Sequence, residues 1–122
     1  MVILNGIGNA GENNKKERFE VILDEIRVAA RQQVLWTAHA IEQMAAPDRM
    51  VLRSEVMRVI WEGEVIEERP DDPRGHNCLL LGYGDGRRPI HVVCSPKNDY
   101  LAVITAYLPN PSLWSPDLKR RL

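Results

Sequence analysis

Residues 79–94 read LLLGYGDGRRPIHVVC, two apolar runs rich in Leu, Ile and Val divided by Gly82-Tyr83-Gly84-Asp85-Gly86. Glycine and aspartate clustered between such runs are hairpin chemistry, so the stretch predicts two neighbouring antiparallel strands. The same glycines lack the spacing of a P-loop or a dinucleotide fingerprint, and they precede a strand where those motifs need a helix. His91 stands in the second run among Ile90, Val92 and Val93. An ionisable ring in a run of sheet-core residues needs a physical reason.

On either side of this hairpin the pattern continues. EVIEERP (64–70), NCLLLGY (77–83), RPIHVVCS (88–95) and YLAVITAYL (100–108) predict four strands separated by turn residues, above all Pro70-Asp71-Asp72-Pro73. Their short connections favour an antiparallel meander. Upstream the apolar spacing changes to three and four: Phe19, Ile22, Ile26, Ala29 and Ala30 define one stripe of a helix over 15–33. Thr37 is the expected N-cap of a second helix that buries Ala40, Ile41 and Met44 and ends before Pro47. A third helix runs from Arg53 to Glu62, burying Val56, Val59 and Ile60, with Gly63 at its C′ position. Residues 1–14, rich in Gly and Asn without a period, read as a disordered tail. PNPSLWSPDLKRRL (109–122) holds too many prolines for a strand, and Trp114 is expected to anchor it to the body. Helices first and strands second give an α+β domain over 15–122, with two to three N-terminal helices packed on one face of a four-stranded antiparallel sheet.

The bulk properties exclude several classes. At 122 residues, 44% hydrophobic and 27% charged, the chain has room for one domain with its own core and none for a second. No apolar run approaches the roughly 20 residues that span a bilayer, and the start does not resemble a secretory signal, so a cytoplasmic location is expected. A net charge of −1 supplies no global field for nucleic acid. Arg87-Arg88 and Lys119-Arg120-Arg121 are the available basic clusters, and short clusters of this kind are commonly just solvated surface. Cys78 and Cys94 fall in predicted strands and are expected as buried free thiols.

In the third predicted strand Ile90, Val92 and Cys94 share one face, and His91 and Val93 share the other. A three-residue loop over 97–99 places His91 opposite Thr105; a two-residue loop over 97–98 places it opposite Ile104. The first is preferred because it gathers His91, Thr105 and Tyr107 on one face. His39 lies in the first turn of the second helix, where the helix N-terminus disfavours an imidazolium and leaves a neutral ring able to accept a proton. For both histidines the plainer reading is a half-buried ring hydrogen-bonded for structural reasons. His76 and Cys78, with His91 and Cys94, suggest zinc only superficially: strand positions three apart face opposite ways, so no metal is expected.

Taken together, TAHAIEQM (37–44), DRMVLRSEVMRVIWEGEVIEERPDD (48–72), CLLLGYGDGRRPIHVV (78–93) and ITAYLPNPSLW (104–114) resemble a bacterial domain-of-unknown-function family, number 4258, over roughly residues 35–115. The resemblance implies the compact α+β fold of RelE-like and barnase-like ribonuclease toxins, and a partner akin to small zinc-finger antitoxin-like proteins. Its recurring polar positions correspond here to His39, Arg49, His91, Tyr107 and Trp114. Two departures stand out. Met50-Val51-Leu52 replaces a Gly, an aliphatic residue and a capping Ser or Thr, so the third helix is expected to start late, at Ser54. The N-terminal helix is additional, and it could pack over the sheet or pair two subunits.

Two functional expectations follow. The first is a toxin-like, metal-independent and cofactor-free endoribonuclease, with His39 and His91 as the acid/base pair for a 2′-OH attack. In that reading Arg49 or Arg87 clamps the phosphate, and Tyr107 donates a hydrogen bond or stacks on a base. Arg88, Thr105 and Trp114 complete the surface for an RNA substrate. The second is a non-catalytic protein-interaction module in which the same residues hold helices to sheet, and the surface binds a protein partner or a second copy as a homodimer.

Overall fold

The computed structural model describes residues 10–122. The disordered tail expected over 1–9 lies outside the described residues. Residues 10–14 are not part of a tail: they open the first helix, α1 (Ala10–Gln32). There follow β1 (Val34–Trp36), α2 (Ala38–Met44), α3 (Arg53–Glu62), β2 (Glu64–Arg69), β3 (Asn77–Tyr83), β4 (Pro89–Pro96) and β5 (Leu101–Tyr107).

The sheet has five strands in the order β1-β5-β4-β3-β2, not the four expected. It is mixed, because β1 runs parallel to β5, pairing Val34 with Leu101 and Trp36 with Val103. Leu101 N–H donates to the Gln33 carbonyl at 2.8 Å and Thr37 N–H to the Val103 carbonyl at 3.1 Å, extending the ladder past both ends of β1. The other pairs are antiparallel.

One sheet face carries the main core. Ile22, Ile26, Ala29 and Ala30 of α1, Ala40 and Met44 of α2, and Val56, Val59 and Ile60 of α3 pack on Val65, Leu80, Ile90, Val92, Leu101 and Val103. Each fully buried Ile or Leu contributes on the order of 2 kcal/mol by leaving water. Ile41 is the exception to the expected helix stripes: it is 46% exposed. The opposite face carries a smaller cluster of Ile66, Leu79, Leu81 and Trp114, against which Val93 and Leu118 pack. Residues 109–122 thus cover the face the helices leave open.

The register differs from both loops considered above. Pro96 pairs with Leu101, and Lys97 N–H donates to the Tyr100 carbonyl at 2.9 Å, so the turn spans 97–100. Pairing then jumps from Cys94–Val103 to Val93–Thr105, leaving Ile104 as a bulge. Its carbonyl accepts from the Thr37 hydroxyl at 2.9 Å, and the same Thr37 oxygen caps α2 by accepting from Ala40 N–H at 3.1 Å. The bulge shifts the downstream register, so His91 lies opposite Tyr107 rather than Thr105 or Ile104.

Helix α3 runs from Arg53 to Glu62 as its apolar spacing predicts, without the later start at Ser54 that the departure from the family pattern suggested, although Leu52 makes no side-chain cap. Glu55 supplies the reciprocal half of a capping box, its Oε1 accepting from Leu52 N–H at 3.0 Å. At the other end, Arg27 of α1 donates to the Ile60 carbonyl at 2.9 Å and the Gly63 carbonyl at 3.3 Å. Gly63 is required for space rather than for a left-handed turn: its φ is −85°, and a Cβ there would stand 2.5 Å from the Val59 carbonyl and 2.6 Å from that of Leu81.

Candidate functional site

On the sheet face opposite the helices, His91 occupies the middle of β4 with no solvent exposure. Tyr107 stands beside it on β5 and Leu81 on β3, since directly paired residues share a face. The indole of Trp114 meets the imidazole edge-on at a centroid distance of 4.5 Å, and the Tyr107 ring does so at 5.4 Å. His91 Nε2 is 2.9 Å from the Leu118 carbonyl, which can only accept, so Nε2 carries the proton. Nδ1 is then the acceptor, and the Tyr107 hydroxyl donates to it across 3.3 Å. Leu118 reaches this position with a left-handed backbone, φ 63°, which aims its carbonyl at the ring.

Burial pushes the His91 imidazole below the ordinary histidine range, against the opposing pull of the Leu118 carbonyl and Glu67. Burial also raises the Tyr107 phenol. Both groups are therefore neutral near pH 7. The cover is latched at its far end: Arg121 lies over the Trp114 ring at 4.7 Å and donates to both oxygens of Glu67 at 2.9 and 3.1 Å. The tail that follows β5 seals the ring, so the acid/base role expected of His91 has no open approach to it.

The remaining residues singled out in the sequence are dispersed. His39 is exposed in the first turn of α2, and among the described residues no hydrogen bond or ring contact joins it to His91. Arg49 is exposed between α2 and α3, with Asp48 the nearest carboxylate at 3.8 Å. Arg87 is exposed in the β3–β4 turn with φ 61°. Thr105 is half-buried on the outer sheet face, opposite Val93. Only His91, Tyr107 and Trp114 are brought into contact.

Arg88 points away to a second polar centre. It donates to Glu55 through Nε at 3.0 Å and Nη2 at 2.6 Å, and to the Met50 carbonyl. Glu55, with no exposure, also accepts from the Asp85 N–H at 2.8 Å and the Leu52 N–H at 3.0 Å. The Arg88 guanidinium holds the Glu55 carboxyl at about 2, aided by the backbone donors and opposed by burial. Sequence reading missed this hub, although a Glu three residues after a helix cap is half of a capping box and was its available signal. The C-terminal cations are likewise engaged, Lys119 with Glu64 at 2.9 Å and Arg121 with Glu67.

The cysteines are buried and free, and burial raises the Cys78 thiol to about 12 and pushes Cys94 up as well. Such thiols are inert as nucleophiles. Among the described residues no group of three or more His, Cys, Asp and Glu is placed to hold a metal ion, and no helix is long and apolar enough to cross a membrane.

An α+β unit with a five-stranded mixed sheet and a sealed His–Tyr pair is what these elements define. Residues 36–108 match the family described as Domain of unknown function (DUF4258), and the chain belongs to that family. No curated protein and no solved structure matches it. The matched stretch contains His39, Arg49, His91 and Tyr107, whereas Trp114, Leu118 and Arg121, which close over His91, follow it.

Proposed function

We propose that this chain is a non-catalytic protein-interaction module. The observation that carries the reading is the state of His91: no exposure, Nε2–H bonded to a main-chain carbonyl, and Nδ1 accepting from Tyr107. A general acid or base must come within hydrogen-bond reach of a substrate proton, and this ring has neither a free nitrogen nor an open side. Its bonds and its edge-on contact with Trp114 are structural instead, fixing the tail to the sheet. The net charge is near neutral, and Arg88, Lys119 and Arg121, three of the five residues in the two basic clusters, are paired with carboxylates and so less available to a phosphate backbone.

The competing reading, an endoribonuclease on a RelE-like or barnase-like scaffold serving a toxin–antitoxin pair, requires His39 and His91 in one site. The test is direct. Purified protein is incubated with a labelled single-stranded RNA pool without divalent metal, alongside His39→Ala and Tyr107→Phe variants, and each is also expressed to follow growth. Intact RNA and normal growth in all three are expected. RNA cleavage by the wild type that either variant abolishes would overturn the module reading.

A further inference from the structure

The corner between α2 and α3 carries a feature that the fold does not require. Leu52 occupies the N-cap of α3, where a Ser, Thr, Asp or Asn oxygen would satisfy a free helix N–H, and it makes no such bond. It is also 45% exposed. An apolar side chain at a capping position and half in water gives the fold less than serine would. Two further large apolar side chains join it, Met50 at 51% and Ile41 at 46% exposure. All three surround one open groove of about 240 Å³, whose floor is Met44 and Val51.

The charged side chain on the lining is basic. Arg53 is part of its lining, and no acidic side chain is. Its guanidinium lies over the Trp36 ring at 5.1 Å, which holds it in place. Arg49, next to Met50 in the chain, is 56% exposed, with only the weak Asp48 contact. An apolar groove lined by two methionines and Arg53, with Arg49 next to Met50 in the chain, is complementary to aliphatic anchors beside carboxylates.

We infer that the groove lined by Ile41, Met50, Leu52 and Arg53, with Arg49 adjoining it in the chain, is the docking site for a short segment of a partner protein carrying aliphatic anchors flanked by Asp or Glu. The inference rests on the module reading and names the chemistry of its partner. Leu52 and Met50 enter the partner's apolar face, and the two guanidiniums receive its carboxylates. Leu52 acts here in recognition and has no part in holding the fold.

A random 16-residue peptide library displayed on yeast, sorted against the full-length chain, tests this. Enrichment of sequences combining Leu, Ile, Met or Phe with Asp or Glu is expected. Their affinity should fall at least tenfold with Leu52→Ser and again with Arg53→Glu, while the urea midpoint of Leu52→Ser stays at or above that of the wild type. Enriched peptides that bind Leu52→Ser equally well would place docking elsewhere and sink this site while leaving the module reading standing. Basic peptides, or no enrichment, would also overturn it. Concentration-dependent dimerisation abolished by Leu52→Ser would replace the partner with a second copy. Metal-free RNA cleavage would instead remove the module reading itself.

Discussion

Glu55→Gln tests whether one buried carboxylate ties α3 to the β3–β4 turn. The wild-type side chain receives four hydrogen bonds, from Leu52 N–H, Asp85 N–H, and Nε and Nη2 of Arg88. A glutamine keeps the shape but turns one oxygen into an NH2, which then faces donors, and it leaves Arg88 without a counter-charge. Two routes give the size. A carboxyl held at about 2 instead of 4.5 corresponds to about 3 kcal/mol. Breaking a buried ion pair costs roughly 3–5 kcal/mol, and the Arg88 side chain, 32% exposed, brings that to about 3. Urea unfolding near pH 7 should therefore show the variant less stable by about 3 kcal/mol with an unchanged m-value.

The sign with pH follows from the direction of the shift. A carboxyl depressed in the folded state stabilises above its unfolded value near 4.5 and loses that contribution as pH falls toward about 2. The gap between wild type and Glu55→Gln should therefore close on acidification, most of it between about pH 4.5 and pH 2.5. A deficit under about 1 kcal/mol at pH 7, or one unchanged by acid, would refute the reasoning.

Other consequences are as specific. Trp114→Ala should destabilise by about 3 kcal/mol and make His91 reactive to diethyl pyrocarbonate, whereas in the wild type only His39 and His76 react; mass spectrometry locates the adducts. Gly84→Ala places a methyl group against the Glu55 carboxylate and Ile90 and should cost about 2 kcal/mol or more, while Gly86→Ala, with φ 66° but open space, should cost about 1. Neither Cys78 nor Cys94 should react with Ellman's reagent until the chain unfolds, and rapid titration of the native protein would contradict their burial.

Local chemistry was readable wherever local periodicity and burial agreed. Helix α3 ends where the sequence places it because Val56, Val59 and Ile60 keep one stripe up to Gly63. The strands of the hairpin were evident for the same reason. β1 was not, because Val34-Leu35-Trp36 is too short to alternate and exists as a strand only by pairing with β5, distant in sequence. The register of β4 and β5 failed on Ile104, an ordinary strand residue whose bulge is marked only in three dimensions, by the Thr37 hydroxyl donating to its carbonyl. The site followed the same division. That His91 faces away from Ile90 and Val92 was legible from alternation. Its closure by Trp114 and Leu118 was not, because a proline-rich tail carries no period to show where it folds back.

That tail also bears on what counts as the unit of inheritance and of folding. The matched stretch ends at residue 108, yet the sheet face beneath residues 109–122 is apolar, with Leu79 and Leu81 beside the imidazole. A gene fragment trimmed to the recognisable stretch would expose that surface and would also lack the first helix, so it should precipitate on expression. The shortest version expected to stay in solution extends past residues 36–108 at both ends.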